Sequence, residues 1–226
     1  MRLGTLSDAF LLPFDYPGHP GEACPGVRER GPRSRLVVAL AMAMFTVMAS
    51  PAGATVHRLT KRHKTARHIT SSCPGADLRP TAKDLGRIRA ATLCLVNRER
   101  AGESERPLAP NKRLEQAAQA HTESMAFGNY LEHDGPRGET PLSRVRATGY
   151  ISRAQTGYEV GENIGWGTLW EATPRAIVAA WMASPGHRAN ILDARFRDTA
   201  VGVCSHPPSS LARGQAGAIY TQDFGG

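Results

Sequence analysis

The chain has 226 residues, with 28 Lys/Arg against 20 Asp/Glu, and 41% of them are hydrophobic but only 6% aromatic. That length fits one medium domain with a tail, no apolar run reaches the roughly 18 residues of a membrane-spanning helix, and four cysteines are too few for a disulfide scaffold. The charge excess is local. Residues 71–226 carry 18 basic against 16 acidic side chains, a net +2, whereas residues 55–70 carry Arg58, Lys61, Arg62, Lys64 and Arg67 with no acid. That run holds no Phe, Tyr or Trp on which bases could stack, so nucleic acid is not expected as a partner. It reads as a solvated linker, with an anionic surface or envelope polymer as the alternative.

In chain order, residues 1–27 are rich in Pro and Gly without periodicity and read as lying upstream of the true start, for example at Val27. Arg28, Arg30, Arg33 and Arg35 then precede a 13-residue apolar stretch, Leu36 to Met48, and the small-x-small triplet Ala52-Gly53-Ala54. A basic region, a short apolar core and a small-residue cleavage site make residues 28–54 a secretory signal peptide, with a buried helix or membrane anchor as the alternatives. Cleavage there would discard Cys24 and leave Cys73, Cys94 and Cys204 in an oxidising compartment, enough for one internal bridge. Cys73–Cys94 is the favoured pair over Cys94–Cys204, and no CxxC supports a thiolate zinc site.

Residues 55–80 read as the basic linker and 81–226 as the domain. Thr81 with Asp84 resembles a capping box, followed by Leu85, Ile88, Thr92, Leu95 and Val96 at helical spacing. A second helix follows Pro110-Asn111, with Leu114, Ala117, Ala118, His121 and Met125 on one stripe. Thr140-Pro141 and Thr173-Pro174 pair an N-cap with proline at the first helical position and predict two more helices, the last broken at Ser184-Pro185-Gly186. Strand signals come late, at 200–204 and 218–224, with a further extended segment over 158–164. Helices first and strands last predict an α+β fold with helices covering a small antiparallel sheet.

His121, on the apolar stripe, reads as a core histidine with one or two hydrogen bonds. His206 looks incidental. His133, in the turn LEHDGPRG, and His187, after a helix break in SPGHRANIL, occupy positions where loops held by rigid elements carry function. Glu162 in GYEVGENIGWG joins them. Two imidazoles and a carboxylate suit a divalent metal or an acid/base set, but solvated turn residues have the same pattern. HExxH, GxSxG and a P-loop Lys-Ser/Thr are absent.

Taken in order, CLVNRERAG, LEQAAQAHTESMA, YLEHDGPRGETPLSRVRATGY, GENIGWG, WMASPGHRANIL, AVGV and YTQDFG resemble the bacterial branch of the CAP superfamily (cysteine-rich secretory, antigen 5 and pathogenesis-related 1 proteins). The resemblance runs from about residue 85 to 226 and implies an α-β-α sandwich with a small, mainly antiparallel sheet between helices. It also implies an extracellular or cell-envelope protein with a large cleft, where a divalent metal such as zinc would meet His133, Glu162 and His187. Eukaryotic members place a fourth, acidic cleft residue three positions after a Trp. Trp181 is followed at that spacing by Ser184, which would hydrogen-bond a metal-bound water, orient His187 or, less simply, act as a nucleophile. Asn163 and Asn190 are expected to brace the cleft. Three functions follow from the resemblance: a module binding a metal and a lipid or envelope ligand, a metal-assisted hydrolase with Glu159 as one base to consider, or an interaction domain with a vestigial cleft.

Overall fold

A computed structural model of the chain describes Cys24, residues 72–152 and residues 156–226. The expected leader, apart from Cys24, and the basic run 55–70 lie outside the described residues. Among the described residues, packing includes positions ahead of residue 81, where the sequence reading begins the domain. Cys73 and Ala76 are buried in the main core, and Cys73 is bonded to Cys94.

Helix α1 spans Leu85–Gly102 and buries Leu85, Ile88, Thr92, Leu95 and Val96 on one face. Its start differs from a capping box. The Thr81 hydroxyl donates to the Asp84 carboxylate (2.8 Å), and Asp84, the residue before the helix, makes no side-chain cap. Strand β1 is the short pair Ala109–Pro110. Helix α2, Lys112–Gly128, is capped by Asn111, whose side-chain oxygen accepts from the amides of Arg113 and Leu114. All five residues of its predicted stripe are buried, and Leu114 and Met125, fully enclosed, contribute about 2 kcal/mol apiece by burial. Helix α3, Pro141–Ala147, and helix α4, Pro174–Ala183, start as predicted: Thr140 and Thr173 accept from the amides of Ser143 and Ala176.

Strand β2 covers Val160–Thr168, β3 Asp198–Cys204 and β4 Gly217–Gly225. The sheet order is β1-β3-β4-β2, antiparallel except for the parallel β1–β3 pair. The break at Ser184 is sharper than expected: α4 ends there and α5, Pro185–Leu192, begins at once, because a proline that cannot continue one helix is well placed to start the next. The β3–β4 connection carries a short helix α6, Ser209–Ala212.

Strand alternation sorts the two faces. One face carries Glu162, Ile164, Trp166, Ala200, Cys204, Ile219, Thr221 and Asp223 and packs under α2 and α3. The other carries Val201, Val203, Tyr220 and Phe224 and packs under α1 and α4, with Ile191 of α5 in the same core. The arrangement is an α-β-α sandwich. Buried Arg100 of α1 donates to the carbonyls of Arg106, Ile191 and Asp193 and so ties down the end of α5.

Cys204 differs from the expectation that it would be left without a partner, being bonded to Cys24. Counting cysteines after cleavage leaves this pair out of consideration. If the full-length chain keeps its N-terminal segment, peptide mapping without reduction will recover Cys24–Cys204 beside Cys73–Cys94, whereas a chain cleaved near Ala54 and freed of its leader will show a Cys204 thiol.

Helix α2 lies so close to the sheet that a Cβ on Gly202 would stand 2.4 Å from the Ala118 carbonyl oxygen, while one on Gly86 in α1 would meet nothing. Gly202→Ala is therefore expected to destabilise the fold by about 2 kcal/mol, a fall of about 4–8 °C in Tm. Gly86→Ala should raise stability by about 0.5 kcal/mol. Thermal denaturation of the two variants checks both signs.

Candidate functional site

The site forms where β2 runs beneath the turn after α2 and the start of α3. Glu162 points to the α2/α3 side of the sheet with its side chain 2% exposed. Its oxygens are shared out. Oε2 accepts from Arg144 Nη2 at 2.6 Å, and Oε1 accepts from His133 Nδ1 at 2.8 Å. His121, beneath them on α2, is buried. Its Nε2 donates to the Glu132 carbonyl (2.9 Å) and stands 4.0 Å from Glu162 Oε1. Asp223 of β4 sits directly opposite Glu162 in the strand register, with no exposed surface and no hydrogen bond of standard geometry to its oxygens.

These neighbours set the charges. Burial opposes ionisation of Glu162, but the bond from His133 and the charge of Arg144 hold its carboxyl below the ordinary range. Asp223 goes the other way: burial, and then the charge of Glu162, push it well above the usual carboxylate range, so it is a neutral acid beside an ionised one. The hydrogen bond to Glu162 raises His133 above the ordinary imidazole range and so favours its imidazolium form. Burial lowers His121, keeping it neutral. Burial, and then the charge of His133, lower His187, which therefore stays neutral beside the charged imidazole.

The other expected site residues fall on the far side of β2. The Asn163 side chain donates to the His187 carbonyl (3.2 Å) and accepts from Asn190 (2.9 Å), and Asn190 also donates to the Glu162 carbonyl (3.1 Å). The two asparagines thus lash α5, with His187, to the strand that carries Glu162. Ser184 is the joint between α4 and α5, where it makes no side-chain cap. Glu159 lines the cavity described below, but Arg195 Nη1 donates to it at 2.6 Å. Sequence reasoning missed Arg144 and Asp223. The only local signal was an acidic residue in the otherwise uncharged strand AIYTQDF and a basic one a single turn into α3.

A cavity of about 430 Å³ opens beside this cluster. His133, Glu162 and Glu159 line its polar side, and Pro141, Leu142, Tyr158 and Val160 its apolar side. The Arg146 guanidinium lies over the Tyr158 ring, 5.0 Å from its centroid, and supports that wall.

As arranged, the Glu162 carboxylate is not free to ligate a divalent ion, whereas His133 keeps Nε2 on the open edge of its ring. Both Glu162 oxygens are already taken by positive donors, and the His133 nitrogen nearest Glu162 carries the proton of that bond. For Glu162 to become a ligand, it would have to break both contacts first. With those contacts in place, the site is a charged hydrogen-bonding pole set against an apolar wall.

The Cysteine-rich secretory protein family (CAP) matches residues 93–224. "Uncharacterized protein YkwD" of Bacillus subtilis (strain 168) is 28% identical over 180 residues, covering 79% of this chain and 63% of that relative, so the chain spans less than two thirds of its length. An extracellular protein containing a SCP domain from Bacillus anthracis str. Ames is 25% identical, with a TM-score of 0.49 over 64% of this chain and 43% of that one. An outer surface protein from Borrelia burgdorferi is 14% identical, with a TM-score of 0.49 over 65% of this chain and 96% of that one. With more than half of its length matched, the chain belongs to the cysteine-rich secretory protein family.

Proposed function

We propose that this is a CAP domain of the extracellular type, acting outside the cell or in its envelope, whose cleft takes a small amphipathic ligand such as a lipid or an envelope component. One observation carries the reading: the 430 Å³ cavity combines the His133–Glu162 pole with a wall of Pro141, Leu142, Tyr158 and Val160. Small-ligand sites are mostly apolar with a few placed polar groups, and this cavity has that balance. The apolar wall accounts for a chain or ring. His133 keeps Nε2 for an acceptor head, because only Nδ1 is bonded to Glu162. The leader-like segment 28–54 and the paired cysteines favour an oxidising compartment.

A hydrolytic reading draws on a different feature, the opposed shifts of His133 and His187, since one charged and one neutral imidazole are the pieces of an acid/base pair. Ester turnover with a bell-shaped pH profile, lost in both His133→Gln and His187→Gln, would favour it over simple binding.

The binding reading is tested with a dansyl-labelled fatty acid, using a soluble peptidoglycan fragment as competitor. Saturable binding is expected, weakened about tenfold by Leu142→Trp, which fills the apolar side. Unchanged binding in that variant would contradict the assignment. An acceptor head needs the imidazolium, so affinity should be full below the raised pKa of His133 and fall as pH rises through it. Titration of His133→Gln should show that pH dependence gone.

A further inference from the structure

We propose that Arg144 is the resident cation of this cleft, holding against Glu162 the place where a divalent ion would otherwise neutralise that carboxylate. Arg144 reaches in from α3 and is only 8% exposed. Its Nη1 donates to the Glu139 carbonyl at 2.6 Å, and Nη2 donates to the His133 carbonyl at 2.9 Å as well as to Glu162 at 2.6 Å. Two of the three acceptors are backbone oxygens, so the guanidinium is anchored independently of the carboxylate it neutralises. A side chain tied in this way cannot swing aside for an incoming ion without giving up two carbonyl hydrogen bonds as well as the ion pair.

The geometry at His133 points the same way. With Nδ1–H bonded to Glu162, the imidazole has a lone pair to offer only at Nε2, on the opposite edge of the ring. One ion cannot take Nε2 and Glu162 together while that bond stands. The charge balance agrees. Arg144 and Glu162 cancel, and the position where the resemblance calls for a further carboxylate is Ser184. A dication would enter a mostly buried place already balanced, with no additional anion to meet it. The positive charge against Glu162 is then Arg144's own and does not depend on metal supply, and His133 presents Nε2 to a ligand.

Zinc alone is the probe, titrated calorimetrically into the full-length, tag-free chain. Glu162→Gln should bind zinc no more weakly than the wild type, because Glu162 is not available to zinc and its loss only makes His133 easier to deprotonate. Arg144→Gln, which frees the carboxylate while leaving His133 in place, should gain affinity about tenfold or more, and the gain should vanish in Arg144→Gln/Glu162→Gln. Arg144→Lys, which keeps the charge, should gain nothing. A stoichiometric wild-type site that is lost in Glu162→Gln would overturn the proposal, and that comparison decides the matter even if Arg144→Gln does not fold. These isotherms involve no organic ligand, so failure here and failure of the amphipathic-ligand reading are separate results.

Discussion

Glu162 lies almost wholly out of water in the middle of a sheet face, and an ionised carboxylate in that position persists only where protein groups replace the lost hydration. The replacements come from two consecutive segments, Arg144 on α3 and His133 in the turn after α2, with neutral His121 of α2 4.0 Å away beneath them. Satisfying one charge therefore fixes where α3 and the 131–139 turn sit over the sheet. The cavity wall built from Pro141 and Leu142 follows from that placement. Removing one member of such a buried pair while leaving the other typically costs about 3–5 kcal/mol, so the same contact that shapes the cleft also holds the layers together.

The carboxyl across the strand pair completes the balance. Two buried acids side by side cannot both ionise, and the environment separates them: Glu162 is bonded to Arg144 and His133, whereas for Asp223 burial and the charge of Glu162 outweigh the charge of Arg144. On the opposite face the work is done by amides, an indole and the buried guanidinium of Arg100, all bonded to uncharged acceptors. Asn163 and Asn190 bind α5 to β2, Trp181 donates to the Ile164 carbonyl (2.9 Å), and Arg100 holds the end of α5. The cleft histidines thus stand on two rigid supports that meet along a single strand.

Much of the fold is legible in local signals. Asn111, Thr140-Pro141 and Thr173-Pro174 mark helix starts because a cap is chemistry within four residues, and the α2 stripe is plain because its spacing repeats. His133, Glu162 and His187 are legible as exceptional residues among turns and glycines. Arg144 and Asp223 are not, for a physical reason: their roles arise from the β2–β4 register, which joins positions some sixty residues apart, and from the docking of α3. Nothing near either residue encodes that meeting. β1, only two residues long, and the immediate restart at Pro185 likewise depend on what the chain packs against. The Cys24–Cys204 bond connects the domain to a Pro- and Gly-rich stretch whose local sequence gives no sign of belonging to it.

An ionised Glu162 that keeps His133 charged is the centre of this site, and an NMR titration of the histidine ring signals of the wild type and Glu162→Gln reads it directly. His133 should titrate above the ordinary histidine range in the wild type and drop back once the carboxylate is removed, with His187 titrating below that range. A wild-type His133 that titrates at or below the ordinary value, or that is unmoved by Glu162→Gln, would contradict the central claim.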